Sequence, residues 1–460
     1  MLDAIRWDAD LIHRYDQAGP RYTSYPTALQ FDGKMGSFDL LHALRRSRQA
    51  GRALSLYLHL PFCSSVCYQC RSNKVITADR GRAFSYLKQL EKEIELIACH
   101  LGPDQVVEQL HVGGGTPTFA SHDQLRQLMA HLRKHFTLQD DDHADFGIDI
   151  DPRDTDWATM GLLRELGFNR VNISVPDLDP TVQRAINRTQ TLEQTQTIID
   201  AARTLQYRTI DINLIYGLPL QAPPHFARTV DAVIALQPDR VSVSSYEHLP
   251  ERHMAQRRIN AADLAASANK LKMLQTGVEQ LTHAGYRYIG MDHFALPDDE
   301  LAVAQEDGRL QRNVQGYTTH GHCDLIGLGV SAISQIGDLY CQNSSDVTIY
   351  QQTLSQGQLA TVRGLRCSED DQIRRRVIQA LLCDFELRFD EVEKDYGIDF
   401  RTYFQKSWPA LNQMAADGLI QLNDHAISIQ PTGRLLAHAL CMQFDHYEPT
   451  SPVSQFSRAI

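Results

Sequence analysis

From Leu54 to Ser245 the sequence alternates short apolar runs with stretches of helical period, and few folds accept that alternation. The apolar runs are 54–60, 106–112, 146–150, 170–175, 209–215 and 240–245, each of strand length. Between them, 83–97, 122–135, 155–166, 192–205 and 223–236 repeat apolar residues at helical spacing. Strand and helix in alternation predict an α/β fold with parallel pairing and right-handed crossovers. An open doubly wound sheet and an incomplete barrel both satisfy this pattern. In either, reactive groups belong at the C-terminal ends of the strands.

The residues at those ends point to particular chemistry. Cys63, Cys67 and Cys70 follow the first strand with the spacing C-x3-C-x2-C, and Arg71, Ser72 and Asn73 come next, so no fourth thiol is at hand. Each iron of a [4Fe–4S] cluster takes one external ligand, normally a thiolate, so three thiols leave one iron open to another ligand. A structural zinc site wants four ligands in two separated pairs, and the second pair is missing. A disulfide framework fits less well, since neighbouring cysteines in one loop are poorly placed to cross-link a large chain. Cys99, Cys323, Cys341, Cys367, Cys383 and Cys441 are scattered and read as small hydrophobes. The run Gly113-Gly114-Gly115-Thr116-Pro117 follows the second strand. Glycines there let main-chain groups approach a ligand closely, a candidate cradle for the amino-acid end of a molecule bound at the open iron; otherwise they make a tight turn. Asp149 and Asp151 end the third strand and Asp177 follows the fourth, as site carboxylates or as solvated strand-end charges.

The formal net charge of -11 argues against a nucleic-acid backbone as the main partner, because that contact needs a basic footprint. No stretch approaches the uninterrupted apolar length of a membrane span, and the first residues lack a basic region followed by an apolar one. With nine cysteines, three of them bunched, the expected compartment is the reducing cytoplasm. Three regions are expected: an N-terminal arm over the active site at 1–50, a catalytic domain at 51–345 and a C-terminal helical domain at 346–460. The arm carries two prolines within 19–26, which stiffen it, and a helix at 38–48. A long helix is expected at 261–283, and Asp292 with His293 forms either a proton-transfer pair or a structural one. The last region reads as helices 370–385 and 403–417, a hairpin around Asn423-Asp424-His425 and a helix from Thr432. That order is winged-helix-like without a basic recognition helix.

The cysteine loop, with a glycine run on the next strand, resembles the radical S-adenosylmethionine superfamily. The likeness extends to residues 19–26, 58–63, 111–118, 211–219, 290–294, 327–334 and 455–460, which resemble the oxygen-independent coproporphyrinogen III oxidase (dehydrogenase) family from end to end. The resemblance implies a partial (β/α)6 radical-SAM barrel, a [4Fe–4S] cluster and S-adenosyl-L-methionine. The implied activity is oxidative decarboxylation of coproporphyrinogen III to protoporphyrinogen IX in haem biosynthesis. It further implies an electron donor such as a flavodoxin or ferredoxin system, and a monomer. By position Cys63, Cys67 and Cys70 match the cluster ligands. Tyr57, Gly114, Gly115, Thr116, Asp149, Arg188, Asn213 and Ile333 match cofactor-contacting positions, and Tyr57 and Arg188 match catalytic ones.

The chain departs from the family pattern at several of these places. Ser72 stands for a fourth cysteine, Arg71 for a glycine, and Gln69 for an aromatic residue. Asp149 shortens a glutamate, Pro176 replaces a glutamine and Asn213 an aspartate. Glu247 stands for an alanine and Val112 for a tryptophan. These departures also fit a divergent paralogue acting on another tetrapyrrole, or a non-catalytic, cluster-bearing haem or porphyrin-binding protein.

Overall fold

The computed structural model describes residues 5–17, 19, 20 and 22–447. Arg21 of the arm and the block 455–460 lie outside them. The chain divides into two compact units, Gln30–Asn269 with His320–Arg366, and Met1–Leu29 with Lys270–Thr319 and Cys367–Ile460. A boundary at 345/346 would cut a hairpin, since Thr361–Arg366 pairs with Leu339–Asn343, and the observed break follows Arg366. A boundary at 50 would detach Asp32, whose backbone exchanges two 2.9 Å hydrogen bonds with Gly364.

The first unit holds strands β1 (Leu54–Leu60), β2 (Val106–Gly114), β3 (Asp145–Ile150), β4 (Arg170–Ser174), β5 (Thr209–Tyr216), β6 (Arg240–Ser245), β7 (Asp324–Leu328), β8 (Ile333–Ile336), β9 (Leu339–Asn343) and β10 (Thr361–Arg366). They pair in the order β6-β5-β4-β3-β2-β1-β7-β8-β9-β10, parallel from β6 to β7 and antiparallel beyond. Strands one to six stand in sequence order with no reversal. Right-handed crossovers in such a run place every helix on the same face, which is the winding of a barrel and not of a doubly wound sheet. The first and sixth strands are not paired, so the barrel is partial.

Each barrel strand alternates. In β1, Leu54, Leu56 and Leu58 are buried apolar residues, and Ser55, Tyr57 and His59 occupy the opposite face. The same holds for Leu110 and Val112 against Gln109 and His111, for Phe146 and Ile148 against Asp145 and Asp149, and for Ile212 and Leu214 against Asp211 and Asn213. Strands buried on both faces usually read as continuous apolar runs. Here one face packs the helices, and the other builds a polar lumen.

Helix starts follow local chemistry. Ser121 and Gln124 form a capping box at His122–His135, Thr191 and Gln194 another at Leu192–Thr204, and the Asp156 carboxylate accepts from the Thr159 N–H at Trp157–Glu165. The expected helix at 261–283 is shorter, Ser267–His283, because Leu264 is extended (φ -72°, ψ 142°) after a single 3-10 turn at Ala261–Asp263.

In the second unit, helices Glu369–Cys383, Phe389–Tyr396 and Trp408–Ala416 accompany a three-stranded antiparallel sheet of Glu386–Arg388, Ala426–Ile429 and Ile420–Leu422. The hairpin around Asn423 is present. The helix expected at 403–417 is broken into Phe400–Tyr403 and Trp408–Ala416, because Pro409 has no N–H to donate to the Gln405 carbonyl; it is tolerated in the first turn of the second helix but cannot continue the first. Strand Glu386–Arg388 and helix Phe389–Tyr396 were not expected, and the segment after Thr432 is a short α-turn, Ala437–Cys441, between 3-10 turns.

Candidate cofactor site at the cysteine loop

The cysteine loop is fixed at both ends by backbone pairing. Phe62–Cys63 runs parallel to Val75–Ile76, Val75 N–H donates to the Pro61 carbonyl at 2.8 Å, and Thr77 N–H donates to that of Cys63 at 3.1 Å. The glycine-rich turn docks on the same residues: Gly115 N–H donates to Leu60 and Thr116 N–H to Phe62, both at 2.8 Å. These glycines answer to protein, not only to a ligand. A Cβ on Gly114 (φ +101°) would lie 2.6 Å from the His59 ring, and one on Gly115 would lie 2.7 Å from the Pro61 carbonyl carbon.

Around the thiols the chain gathers positive charge. The Thr116 hydroxyl is 3.5 Å from Cys63 Sγ, and Arg153 and Arg188 aim guanidinium nitrogens at Cys67 Sγ from 3.6 and 3.7 Å. Asp151 ties both arginines, accepting from Arg153 at 2.7 Å and from Arg188 at 2.8 Å. Burial alone would raise the Asp151 carboxyl, but the two guanidinium groups outweigh it and hold the group well below its usual range. Cys63 is pushed up by burial. Burial also acts against ionisation of Cys70, yet the Lys74 ammonium and hydrogen bonds from Ser72 and Lys74 prevail and lower its thiol. Three cations and one carboxylate around three thiols form a donor set suited to an anionic metal–thiolate group.

Tyr57, His111, Asp149, Asn172, Asn213 and Ser242 form a rung across the lumen. The Tyr57 ring stacks on His111 with an interplanar angle of 9°, and its hydroxyl is 3.2 Å from His59 Nδ1. His111 Nε2 meets Asp149 Oδ1 at 3.0 Å, and Asn172 donates to the same oxygen at 3.0 Å. Asn213 donates to Asn172 at 2.6 Å and accepts from the Ser242 hydroxyl. Burial would lower His111, but the Asp149 charge raises it; burial would raise Asp149, but His111, Asn172 and the Gly114 N–H lower it. Each partner's charge therefore favours the charged form of the other. Ile333 opens β8 with its backbone packed against Gly327, the partner of Tyr57 in the sheet.

The structure thus brings together the three cysteines, Thr116 and Arg188, and sets Tyr57, Asp149 and Asn213 on one rung. Arg188 does not present an open fork. Its terminal nitrogens donate to Asp151, to the Ser174 carbonyl at 3.0 Å and to Gln190 at 3.2 Å, leaving only Nε without a partner. Two departures prove to be mutual partners: Arg71 forms an ion pair with Glu247. Lys74, Arg153, His111, Asn172 and Ser242 were not anticipated. Lys74 lies four residues after Cys70, and Asp151-Pro152-Arg153 is a short-range pair, so both could be sought in sequence. The partners along the rung lie on different strands and give no local signal.

Residues 57–232 match the Radical SAM superfamily, and 367–436 match the HemN C-terminal domain. The lumen and its three-thiol loop are those of a radical SAM fold. The chain is 65% identical over 460 residues to the oxygen-independent coproporphyrinogen III oxidase of Pseudomonas aeruginosa, covering 100% of both chains. It is 45% identical to that of Escherichia coli over 463 residues, again covering 100% of both. A solved structure, the coproporphyrinogen III oxidase of Escherichia coli described as a radical SAM enzyme, superposes with a TM-score of 0.92 at 43% identity, over 97% of this chain and 100% of that one. The chain belongs to the oxygen-independent coproporphyrinogen III oxidase family.

Proposed function

We propose that this chain decarboxylates two propionate side chains of coproporphyrinogen III to vinyl groups without oxygen, in haem biosynthesis. Cys63, Cys67 and Cys70 would hold a [4Fe–4S] cluster in this reading, and Gly114, Gly115, Thr116 and the polar rung would hold S-adenosyl-L-methionine. When bound, the two groups supply one-electron chemistry that generates a carbon radical able to take hydrogen from a propionate. The protein's part is to hold and to exclude. Lys74, Arg153 and Arg188 balance thiolate charge, Thr116 positions Cys63, and Asp149 fixes the rung through His111 and Asn172. Tyr57 walls the site by its stack on His111. A small one-electron carrier of the flavodoxin or ferredoxin type supplies reducing equivalents. No helix among the described residues is long and apolar enough to cross a membrane.

The observation that supports this most is the conjunction of the three-thiol loop, its three cations and a lumen face that is polar along strands β1 to β6. The test is an anaerobic assay of the iron-reconstituted, reduced protein with S-adenosylmethionine, with and without coproporphyrinogen III, following 5′-deoxyadenosine and protoporphyrinogen together. Both products in proportion are expected. Deoxyadenosine without protoporphyrinogen would transfer the activity to another substrate, and neither product from cluster-loaded protein would end the enzymatic reading.

A further inference from the structure

On the helix layer outside the lumen, two histidines and a glutamate converge. His131 and His135 lie one turn apart on His122–His135, a spacing that puts both on one face, and Glu95 reaches them from Arg80–Ala98. His131 Nε2 is 3.5 Å from Glu95 Oε1, and His135 Nε2 is 3.8 Å from the same oxygen. All three ligand atoms fall within 4.8 Å of one another. Donors held at about 2.0–2.1 Å by one tetrahedral metal stand roughly 3.4 Å apart, close to the two distances to Glu95, and side-chain rotation brings the two imidazole nitrogens, within 4.8 Å, to that separation.

A second observation points to a ligand. His135 Nε2 is shielded from solvent and makes no hydrogen bond, which a settled surface histidine would be expected to avoid. The His131 and His135 ring centroids are 4.6 Å apart. His131 Nε2 lies 3.1 Å from the Glu91 carbonyl, so without metal its proton sits on Nε2 and donates there. Ligation moves that proton to Nδ1 and frees the Nε2 lone pair. A second His–Cys–Glu group is less suited: His322 and Glu108 are already hydrogen-bonded at 2.7 Å, too close for two donors on one ion.

We propose that Glu95, His131 and His135 bind a divalent transition metal of the zinc, nickel or copper type, with water completing the coordination. Two imidazoles and one carboxylate select these ions over magnesium or calcium, which prefer oxygen donors. The metal joins the helix that follows the thiol loop to the helix that follows the glycine-rich turn. It acts as a strut between the two crossovers flanking β2.

Calorimetric titration of the cluster-loaded protein with zinc chloride, paired with thermal melts, tests this. The wild type takes up about one equivalent of zinc beyond its iron, and its melting midpoint rises. Losing an outer partner of a metal site already weakens binding 10–100-fold, so His135→Ala and His131→Ala each weaken zinc binding at least about tenfold, and Glu95→Gln weakens it measurably. Cys323→Ser leaves the titration unchanged. Far-ultraviolet dichroism and the cluster absorbance establish that each variant is folded, and His135→Gln replaces any alanine variant that is not. No stoichiometric uptake, uptake indifferent to both the His135 and Glu95 changes, or uptake lost in Cys323→Ser would overturn the site.

Discussion

Two rungs of side chains cross the same lumen two or four residues apart along the strands, and they behave differently. The lower rung runs Ser55, Gln109, Asp145, Arg170, Thr209. Ser55 donates to Gln109 at 2.9 Å, Gln109 to Asp145 at 2.8 Å and Arg170 to Thr209 at 2.8 Å, with Arg170 paired to Asp145. The upper rung holds His111 and Asp149, whose side chains are 33% and 32% exposed, against 9% and 10% for Arg170 and Asp145. The lower rung is a closed polar floor whose charges depend on one another for solvation. The upper rung is hydrogen-bonded but open, at the level of the residues that match cofactor positions. Polar side chains on one strand face are thus closed off at one level and open at the next.

Removing one partner from the floor gives the largest effect. Asp145→Ala removes the carboxylate paired with the buried Arg170 and costs about 3–5 kcal/mol, read as a fall in urea-unfolding midpoint. The double variant Asp145→Ala with Arg170→Met recovers most of it. If Asp145→Ala costs no more than Asp149→Ala, the two rungs are not distinct. Asp149→Asn keeps the shape of the upper rung and removes its charge. Its kcat/KM for S-adenosylmethionine falls about tenfold, equivalent to about 1.4 kcal/mol, with a melting temperature close to wild type. A drop in stability with unchanged kinetics would reassign Asp149 to the floor.

Acid titration separates the arginine-tied carboxylate from both rungs. Asp151 is held below its usual range in the folded chain, so its stabilisation is fully present above an unfolded value of about 3.9 and fades as pH falls through the folded one. Thermal melts from neutral to acid should show a shallower acid limb for Asp151→Asn than for the wild type. Smallest is the Arg71–Glu247 pair. The Arg71 side chain is 38% exposed, and a double-mutant cycle on melting free energy should return a coupling well under about 1 kcal/mol. A larger coupling would make this pair a support of the cysteine loop.

Much of this was legible beforehand, and what escaped has a physical reason. Strands β1 and β6 match the sequence reading residue for residue, and the other four barrel strands lie within two residues of it, because turn residues bound each apolar run. The thiol loop is legible because its three cysteines lie within eight residues of one another. Reading those strands as apolar runs hides the alternation of their faces, although Ser55, Tyr57 and His59 between leucines display it. Arg153 and Arg188 reach Cys67 from 86 and 121 residues away, which no local pattern encodes. The sequence leaves the glycines as a ligand cradle or a tight turn, and the geometry shows that they admit His59 and the turn after β1.

The position of β1 between β2 and β7 also bears on how the chain is made. Leu54 pairs on one side with Val107 and on the other with Asp324. Glu93, on the helix that follows the thiol loop, is buried and accepts from Gly329, Asn343 and Tyr350. A chain emerging from the ribosome folds from its N-terminus. During synthesis, then, the strand that carries the thiols is an edge strand with open hydrogen-bonding groups, the kind of surface that recruits wrong partners. Its neighbour and the donors to Glu93 emerge only in the last third of translation. Assembly of the thiol loop into its finished setting is timed by the distant end of the barrel, and a nascent chain stalled before residue 324 would expose its three cysteines beside an unpaired strand.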